Sequence, residues 1–405
     1  MPVITNIDDF REIARRKIPK AVFEYVDHGS YDQLTLAANR RELQALQFRQ
    51  RVMINADDRR LATTMLGENV AMPVALAPIG MCGLTRGDGE VLAARAAEAA
   101  GIRMCLSTMS ICSIEDVREA ISGPFWFQLY VFRDRGFSES VIERVKAAGC
   151  TALFVTVDLP MRGQRHCDLK NGVYVPPRLT LRNAYDLLTK VGWSWSVLKA
   201  KRRGFTNIQA YIDKTTGGGM MDTARWADTN FDGSLSWNDI AWIRKNWRGK
   251  LVIKGVLDSA DAKIALDNGA DAIVVSNHGG RQLDGAPATI SALPYIADAV
   301  GNDIEVLFDG GIRSGQDVLK ALSLGARGCL IGRAFVYGLM AQGGPGVAKA
   351  VDLIKEELKV SMSLTGVKDV HDVTRDVLFN PPPGGKKGRA SSGRNKSRTS
   401  RRSRR

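Results

Sequence analysis

From residue 73 onward the sequence repeats one unit: a short apolar run, a polar or glycine-rich turn, and an amphipathic stretch. Short apolar runs between turn residues indicate buried strands, and apolar residues at helical spacing indicate helices. Strands that alternate with helices predict a parallel sheet, and eight repeats predict an α/β fold of the closed (β/α)8 TIM-barrel type. The predicted strands cover residues 74–78, 103–107, 125–131, 152–157, 251–255, 272–276, 305–309 and 328–331, with helices over 89–100, 138–148, 259–268 and 315–324.

An open, doubly wound sheet is the alternative fold for this pattern. Such a sheet commonly binds a dinucleotide at a Gly-x-Gly-x-x-Gly turn after its first strand. Residues 78–83 of this chain read Pro-Ile-Gly-Met-Cys-Gly instead, which favours the barrel. Ahead of the barrel, apolar residues recur at helical spacing over residues 7–18, so residues 1 to about 70 are predicted to form a helical cap. We expect one domain over residues 1–379, with the barrel beginning near residue 73.

The spacing of the repeats breaks down once, between the fourth and fifth strands. Residues from about 160 to 230 form a variable loop that is too long for a plain connection in a compact domain, so we expect it to have a function. It carries Trp193 and Trp195 beside several lysines and arginines. That composition suits a helix at a membrane interface or a lid over the barrel mouth, and helical spacing alone does not separate the two.

At the end of this loop, residues 228–239 resemble an EF-hand calcium loop, with aspartates at positions one and five and glycine at position six. Position twelve is Asp239 rather than the usual glutamate, and a second, paired loop is missing from the sequence. A turn followed by a helix that Ser236 or Asn238 caps would account for the same residues. The six cysteines also lack Cys-x-x-Cys pairs, so we expect no metal site.

The formal net charge of +14 comes mainly from the end of the chain. Residues 386–405 contain ten lysines and arginines and no acidic residue, so the chain before them carries only +4. Because this composition cannot bury enough apolar surface to fold, we expect a disordered basic tail over residues 380–405. A basic tail can bind nucleic acid or an anionic membrane, or can be a solvated extension. The reactive residues described next argue against nucleic acid as the partner.

The most informative stretch is residues 276–285, Ser-Asn-His-Gly-Gly-Arg-Gln-Leu-Asp-Gly, which follows the sixth predicted strand. Glycines there allow the backbone to approach a ligand closely. His278 is suited to removing a proton near neutral pH, and Arg281 offers a planar fork that matches a carboxylate. A lone histidine would indicate only a hydrogen bond to backbone. This combination at the carboxyl end of a barrel strand predicts an active site.

The carboxyl ends of the other strands meet at the same face of a barrel and supply partners for His278. Asp158 is the carboxylate that we expect to orient His278 and to stabilise its imidazolium form. Lys254 either pairs with a carboxylate such as Asp309 or stabilises an anion. Neutral hydrogen-bonding groups that suit a heterocycle come from Ser107, Gln128 and Thr156.

A phosphate site is predicted after strands seven and eight, where barrels commonly bind phosphate through backbone amides. Glycine turns stand at both places, each with an arginine beside it. The residues are Asp309, Gly310, Gly311, Arg313, Gly332 and Arg333.

Residues 276–284, the lysine-bearing strand, Gln128-Leu129-Tyr130 and residues 309–313 (Asp-Gly-Gly-Ile-Arg) together resemble the FMN-dependent α-hydroxy-acid dehydrogenase and oxidase family over about residues 5–379. The resemblance implies FMN as cofactor and His278 as the active-site base, with Asp158 behind it. It implies that the substrate is bound by Tyr25, Tyr130, Arg165 and Arg281. It also implies a cofactor site made of Ile79, Gly80, Ser107, Gln128, Thr156, Lys254 (at the N1/O2 edge of the flavin), Ser276, Asp309, Gly310, Gly311, Arg313, Gly332 and Arg333.

Within that family the sequence is most similar to membrane-associated members of respiratory chains, which implies oxidation of L-lactate to pyruvate with electrons passed to a quinone or cytochrome. The same resemblance implies a homotetramer that is cytoplasmic and peripheral on the inner face of the cell membrane, attached through the loop after strand four. A 2-hydroxy-acid oxidase that uses oxygen and acts on glycolate, lactate or mandelate is the alternative, because no motif fixes the electron acceptor. Two features depart from the family: His28 replaces the first glycine of its Tyr-x-x-Gly-Gly motif, and the basic tail has no counterpart.

Overall fold

The structure is a computed structural model that describes residues 3–55, 57–172, 185–186, 188–215 and 220–382. Eight parallel strands close into one barrel, in which each strand pairs with the next along the chain and the last pairs with the first. All eight predicted strands are present, so the (β/α)8 barrel is confirmed and the open sheet is wrong. In chain order the strands are β1 (Thr63–Met65) and β2 (Glu68–Val70), which form a separate hairpin, and the barrel strands β3 (Val74–Leu76), β4 (Arg103–Ser107), β5 (Trp126–Leu129), β6 (Ala152–Thr156), β7 (Lys250–Val256), β8 (Ala272–Val275), β9 (Glu305–Phe308) and β10 (Gly328–Ile331).

Helices surround the barrel, and several begin at side chains that satisfy their free N–H groups. The first helix starts at a capping box formed by Asn6 and Asp9, and the helix after β9 starts at another, formed by Ser314 and Asp317. The helices are α1 (Ile7–Lys17), α2 (Lys20–Asp27), α3 (Leu34–Ala45), α4 (Cys82–Thr85), α5 (Gly89–Ala99), α6 (Ile114–Ala120), α7 (Arg135–Ala147), α8 (His166–Lys170), α9 (Val191–Leu198), α10 (Thr206–Thr215), α11 (Met220–Thr229), α12 (Trp237–Asn246), α13 (Ser259–Asp267), α14 (Thr289–Val300), α15 (Gly315–Ser323), α16 (Arg333–Gln342) and α17 (Gly344–Thr365), followed by short 3-10 turns at Val370–Asp372 and Arg375–Val377.

The interior of the barrel is filled with apolar side chains from its strands. Trp126 and Phe154 are fully buried there, and their rings stack with centroids 5.4 Å apart. The hairpin closes one end of this core, because Met65 packs into the same cluster. Glu68 of the hairpin accepts a hydrogen bond from Trp126 Nε1 at 2.9 Å. The barrel is therefore a packed core, and its functional groups are expected at the other end, where the strands finish.

The predicted helical cap is confirmed over residues 7–45 and differs from the structure only near its end, where the hairpin lies. Residues 7–45 do contain three helices, but β1 and β2 stand where the cap was expected to continue. Strands of three residues are too short to show the alternation that identifies a strand from sequence. The turn between them places Leu66 and Gly67 at φ 53° and 80°, as hairpin turns with two left-handed residues require.

Helices α2 and α3 cross the loop that follows β8. Gly280 in that loop has φ +72°, and a Cβ on it would lie 2.6 Å from the backbone nitrogen of Leu36 in α3. A Cβ on Gly29, just after α2, would lie 2.5 Å from the carbonyl oxygen of Gly280. Only glycine permits these two close approaches. The cap is thus part of the site rather than an appendage.

Residues 157–249 join β6 to β7 and include α8 to α12. Trp193 of α9 donates a hydrogen bond from Nε1 to the carbonyl oxygen of Leu84 at 2.8 Å, and Arg202 donates to the carboxylate of Asp116 at 2.9 Å. These contacts hold the segment against the barrel. Among the described residues, no helix is long and apolar enough to cross a bilayer.

The EF-hand-like stretch is a turn followed by α12. Arg135 donates to the carboxylates of both Asp232 and Asp239, at 2.7 and 2.6 Å. Asp239 also accepts from the backbone N–H of Ser236 at 2.8 Å, which caps α12 as predicted. Two of the acidic side chains of the motif, Asp232 and Asp239, are therefore already paired with the guanidinium group of Arg135. The predicted disordered tail, 380–405, lies outside the described residues from residue 383 onward.

Candidate active site

His278 and Asp158 lie together on the loops that follow β8 and β6. His278 Nδ1 is 2.9 Å from Asp158 Oδ1, so the carboxylate accepts the Nδ1 hydrogen and leaves Nε2 free to act on a ligand. Burial alone would raise the pKa of Asp158, but the neighbouring His278 and Lys254 hold it below its ordinary value. An ionised carboxylate behind an imidazole is an arrangement that can work as a general base.

Two tyrosines and two arginines stand beside His278. Tyr130 Oη is 3.4 Å from His278 Nε2. The Tyr25 ring lies next to both guanidinium groups, with the central carbons of Arg165 and Arg281 at 5.1 and 5.0 Å from its centroid. Burial and the nearby charge of Arg165 lower the pKa of Arg281. Since two cations share this mouth, an entering carboxylate would relieve their repulsion.

A second polar cluster lies deeper, at the ends of β7, β8 and β9. Lys254 Nζ is 3.1 Å from Asp309 Oδ2 and donates to Ser276 Oγ at 2.9 Å. Burial disfavours the charged lysine, but Asp309 and Asp158 raise the pKa of Lys254 above its ordinary value, so it stays a cation. The two predicted roles of Lys254, pairing with a carboxylate and stabilising an anion, are therefore compatible with each other. Lys254 is paired with Asp309, and it also lines the cavity.

Neutral polar groups end the strands on the other side. The register pairs Ser107 of β4 with Gln128 of β5, and Ser107 Oγ donates to Gln128 Oε1 at 2.8 Å. Gln128 Nε2 is buried without a hydrogen-bond partner among the described residues, and so is Asp309 Oδ1 in the cluster around Lys254. Thr156 of β6 pairs in register with Lys254. Buried polar atoms left without partners indicate that a ligand is expected to bond them.

Arg313 and Arg333 lie beside the glycine turns that follow β9 and β10. The guanidinium of Arg313 is 5.5 Å from the centroid of the Tyr337 ring. All three nitrogens of the Arg333 guanidinium donate to backbone carbonyls, those of Val26, Gly279 and His28, at 2.8, 2.9 and 3.0 Å. Burial and the charge of Arg281 lower the pKa of Arg333 to about 9. Arg333 therefore ties α2 to the loop after β8, besides adding positive charge to the site.

One cavity connects these groups. Its lining includes most of the predicted site residues, namely Tyr25, Ile79, Gly80, Tyr130, Arg165, Lys254, His278, Arg281, Asp309, Gly310, Gly311, Arg313, Gly332 and Arg333. Five predicted residues lie just behind the lining: Ser107, Gln128, Thr156, Asp158 and Ser276. Asp158 and Ser276 bond to the lining residues His278 and Lys254, and Thr156 pairs in register with Lys254. Ser107 accepts from the N–H of the lining residue Met109 at 3.2 Å, and Gln128 in turn accepts from Ser107. The strand ends thus bring every predicted site residue to one end of the barrel.

A sequence profile described as FMN-dependent dehydrogenase matches residues 14–380. The chain belongs to the FMN-dependent dehydrogenase family. An L-lactate dehydrogenase of Stenotrophomonas maltophilia (strain R551-3) is 49% identical over 381 residues, which are 94% of this chain and 100% of that protein. An L-lactate dehydrogenase of Caulobacter sp. (strain K31) is 47% identical over 377 residues, 93% of this chain and 98% of that protein.

Solved structures agree with this assignment. The monotopic membrane protein (S)-mandelate dehydrogenase superposes with a TM-score of 0.89 at 32% identity, covering 94% of this chain and 100% of that one. A mandelate oxidase superposes with a TM-score of 0.78 at 34% identity, covering 94% and 99%. The predicted family, oxidoreductase activity and FMN cofactor are confirmed. The orphaned Gln128 Nε2 and Asp309 Oδ1, together with the cationic glycine turns, fit FMN as the group that this dehydrogenase holds.

Several parts of the site were not predicted from sequence. The apolar side of the cavity comes from the segments that follow three different strands, β3, β4 and β6: Met81, Met109, Leu159, Phe205 and Phe231. No sequence signal joins those positions. Gln282 could have been predicted, because it lies in the 276–285 stretch. Its amide donates to the carbonyl oxygens of Asp158 and Met161 at 2.9 and 3.1 Å.

His28 also finds an explanation in the structure. Its φ is −86°, which any residue adopts, so the position does not need glycine. The carbonyl oxygen of His28 accepts hydrogen bonds from Arg281 and Arg333, each at 3.0 Å.

Proposed function

We propose that this FMN-dependent dehydrogenase oxidises L-lactate to pyruvate, with His278 as the base. The observation that supports this proposal best is the series of contacts from Asp158 through His278 to the cavity, with the half-buried Arg165 and Arg281 beside it. The names of the relatives at 47–49% identity over almost the whole chain support L-lactate as the substrate. The oxidation removes two electrons and two protons from a 2-hydroxy acid, and FMN when bound supplies the two-electron acceptor.

The residues of the chain supply binding, orientation and proton transfer. Arg281 and Arg165 present the positive charge that holds the substrate carboxylate, and a planar guanidinium suits a carboxylate better than an ammonium would. His278 Nε2 accepts one proton from the substrate, either from C2 or from the hydroxyl group, and Asp158 stabilises the imidazolium that results. Tyr130, 3.4 Å from the same nitrogen, is placed to bond the substrate hydroxyl.

We propose the FMN site from the same geometry. Gln128 and Asp309 have the unpartnered atoms that would bond the ring system and the ribityl chain, with Ser107, Thr156 and Ser276 beside them. Lys254 lies where a cation can stabilise negative charge on the ring. The backbone of Ile79 and Gly80 would pack on the ring, and the phosphate would lie at Gly310, Gly311, Gly332, Arg313 and Arg333.

The membrane contact is proposed from an apolar stripe that begins at Leu188, just before α9, and continues along one face of α9. Leu188, Val191, Trp195 and Leu198 follow one another at intervals of three, four and three residues and are 77%, 69%, 57% and 56% exposed; we call them the outer stripe. The opposite face carries Trp193, which packs inward. An apolar stripe facing solvent beside lysines and arginines suits the surface of an anionic membrane, which supports peripheral attachment at the inner face of the cell membrane. The close structural similarity to a monotopic membrane protein gives further support.

The test of the reaction uses the purified protein with its flavin under anaerobic conditions. L-lactate should bleach the oxidised flavin spectrum, and glycolate and (S)-mandelate should be compared at equal concentration. Failure of L-lactate where another 2-hydroxy acid succeeds would correct the substrate; failure of all three would contradict the function.

The acceptor, the membrane contact and the oligomer need separate measurements. Reoxidation of the reduced flavin by a quinone should be much faster than by oxygen if the protein is a dehydrogenase, and the reverse result would make it an oxidase. Sedimentation with anionic vesicles, for the full chain and a chain ending at residue 379, should show binding that does not depend on the tail. Light scattering should give the mass of a homotetramer, which we propose by analogy with the family.

A further inference from the structure

Two asparagines from distant parts of the chain form a reciprocal pair behind His278. Asn39 of α3 donates from Nδ2 to Asn277 Oδ1 at 2.9 Å, and Asn277 donates from Nδ2 to Asn39 Oδ1 at 2.8 Å. Both side chains are buried, at 1% and 4% exposure, although 238 residues separate them in sequence. Buried amides bonded to each other in both directions fix their mutual position, because no water can replace either partner.

Both amides also make hydrogen bonds to backbone groups nearby. Asn277 Nδ2 donates to the carbonyl oxygen of Pro287 at 3.1 Å, and its Oδ1 accepts from the N–H of Gly280 at 3.2 Å. Asn39 Oδ1 accepts from the N–H of Thr289 at 3.2 Å. The pair therefore joins α3, the loop after β8 and the start of α14 into one network.

This network holds the residue that immediately precedes the base. His278 has φ +57°, a left-handed conformation that is unfavourable for a residue with a Cβ and persists only where the surroundings enforce it. Asn277 closes the turn around it, since the N–H of Gly280 is 3.0 Å from the carbonyl oxygen of Asn277 as well. The direction in which the imidazole leaves the backbone thus depends on how Asn277 is held.

A second tie between the same elements lies seven residues further on. The carboxylate of Asp284 accepts from the backbone N–H groups of Thr35 and Asp32, at 2.9 and 3.1 Å, at the start of α3. Helix α3 is therefore fastened to the loop after β8 at two points, one at each side of His278 and Arg281.

We propose that Asn39 is a positioning residue for the reaction: through Asn277 it holds His278 in the strained backbone conformation that directs its imidazole toward Asp158 and the substrate. The proposal rests on the proposed role of His278 as base. It gives the N-terminal cap a part in catalysis, although no residue of α3 touches the reacting atoms.

The first experiment is Asn39→Leu, which keeps the branched shape but removes both bonds to Asn277 and the bond from the N–H of Thr289. Flavin content should stay near one per chain, and the limiting rate of flavin reduction by L-lactate should fall about 10- to 100-fold, because small misplacement of a reacting group costs rate on that order. The matched control is Lys320→Met. Lys320 ties the other end of α3, donating to the carbonyl oxygen of Leu43 at 2.8 Å, and does not touch the loop.

Thermal unfolding of both variants separates positioning from general loosening of α3. A reduction rate that falls as much in Lys320→Met as in Asn39→Leu would overturn the proposal. A normal reduction rate in Asn39→Leu, with its flavin bound, would overturn it as well.

The second variant, Asn39→Asp, keeps the shape and guards against a failure to fold. An ionised carboxylate at residue 39 would face Asn277 Oδ1 and repel it, whereas a protonated one would donate to that oxygen and restore the pair. Burial raises the pKa of a carboxyl group in such a place. The reduction rate of this variant, divided by that of the unmodified protein, should therefore rise as the pH falls; a ratio independent of pH would contradict the assigned bond.

A readout that does not depend on activity comes from the imidazole resonances of the flavin-free and flavin-bound protein. The chain has only four histidines, so each signal can be assigned by substitution. In Asn39→Leu the His278 signal alone should shift, and an unshifted signal would overturn the proposal. The reduction rates separate the two proposals. If both His278→Gln and Asn39→Leu reduce their flavin at the normal rate, the proposed base is wrong. If only Asn39→Leu does, the base stands and the positioning role of Asn39 is wrong.

Discussion

In most proteins charged side chains face solvent and apolar side chains are buried. The strand-end site and the outer stripe depart from this rule in two opposite ways. At the strand ends, charges are buried: Lys254 is 5% exposed and Asp309 is 7% exposed. In the outer stripe, apolar side chains face solvent: Leu188 is 77% exposed and Trp195 is 57% exposed. A buried charge and an exposed apolar patch are both costly unless something compensates, so each marks a place where a partner is expected.

The two regions differ in how that compensation is supplied. The buried charges compensate one another within the chain, as the Lys254–Asp309 pair shows. The stripe has no such compensation among the described residues, apart from Lys199, whose Nζ lies 4.5 Å from the Trp195 ring centroid. A site built inside the fold should thus respond to single substitutions by losing chemistry. A surface that waits for a partner should respond by losing attachment.

The largest effect is expected from His278→Gln. Glutamine keeps polarity but cannot accept the proton, so flavin reduction by L-lactate should slow by about 10²–10⁴-fold, while flavin content and vesicle binding stay normal. Anaerobic stopped-flow absorbance measures the rate. A rate of flavin reduction within a few-fold of normal would mean that His278 is not the base. It would also weaken the expectation that substitutions at the strand-end site abolish chemistry.

Arg281→Lys should come next. Lysine keeps the charge but loses the planar fork and the bonds to the carbonyl oxygens of Tyr25 and His28, at 2.6 and 3.0 Å. Hydrogen bonds to charged groups contribute about 1.5–3 kcal/mol, so the ratio kcat/KM for L-lactate should fall about 10- to 100-fold. Steady-state assays with a soluble dye measure it. An unchanged ratio would mean that another group, such as Arg165, anchors the substrate carboxylate.

The barrel and the core of the site could be predicted from sequence because their signals are local. Each barrel strand is a short buried run, and its functional residue stands at or just after its end, as His278 and Lys254 do. Parallel strands of a barrel then bring those ends together without further information. The 276–285 stretch adds a pattern specific enough to identify a family, and the resemblance to that family is the source of the roles proposed for Tyr25, Tyr130 and Arg165, which spacing alone could not suggest.

What could not be predicted depends on contacts between distant residues. Asn39 lies in an ordinary-looking helix, and nothing near it in sequence points to Asn277. The apolar wall of the cavity has the same origin, since Phe205 and Phe231 come from the long β6–β7 segment. That segment also left two interpretations open, and its structure contains something of both: Phe205 lines the cavity mouth, while the outer stripe faces away from the barrel.

Trp195→Ser tests the outer stripe with a smaller expected effect. Transfer of a large apolar side chain from water contributes about 1.5–3 kcal/mol when complete, and Trp195 is already partly covered, so binding to anionic vesicles should weaken about five- to tenfold. Flavin reduction by L-lactate should not change. Tyr295→Ser is the matched control, because Tyr295 is 58% exposed but lies on α14. Equal loss in both variants would mean that the stripe has no special role.

The smallest effect concerns the attachment of the β6–β7 segment to the barrel. Asp116 of α6 accepts from Arg202 at 2.9 and 3.2 Å and lies 3.0 Å from Lys201 Nζ. Burial would raise the pKa of Asp116, but hydrogen bonds from Arg202, Ser113 and Lys201 outweigh it and hold that pKa well below its ordinary value of 3.8. A carboxyl group with a lowered pKa stabilises the folded form above its ordinary pKa, and this stabilisation is lost as the pH falls further.

Asp116→Asn should therefore loosen the segment at neutral pH by about 1 kcal/mol, the upper end for pairs whose cations are partly exposed, with the barrel itself unaffected. Cleavage within the segment during limited proteolysis should accelerate about fivefold at pH 7, the ratio that this energy gives when opening precedes cleavage. An acid-active protease should find a smaller difference at pH values below 3.8, where the unmodified carboxylate begins to lose its own contribution. Glu119→Gln is the control, because Glu119 lies 3.4 Å from the same Lys201 but is largely exposed. Equal acceleration of cleavage in the two variants would mean that surface charge in general, rather than Asp116, holds the β6–β7 segment to the barrel. Acceleration only in Asp116→Asn would show that one buried carboxylate holds the stripe-bearing segment to the barrel.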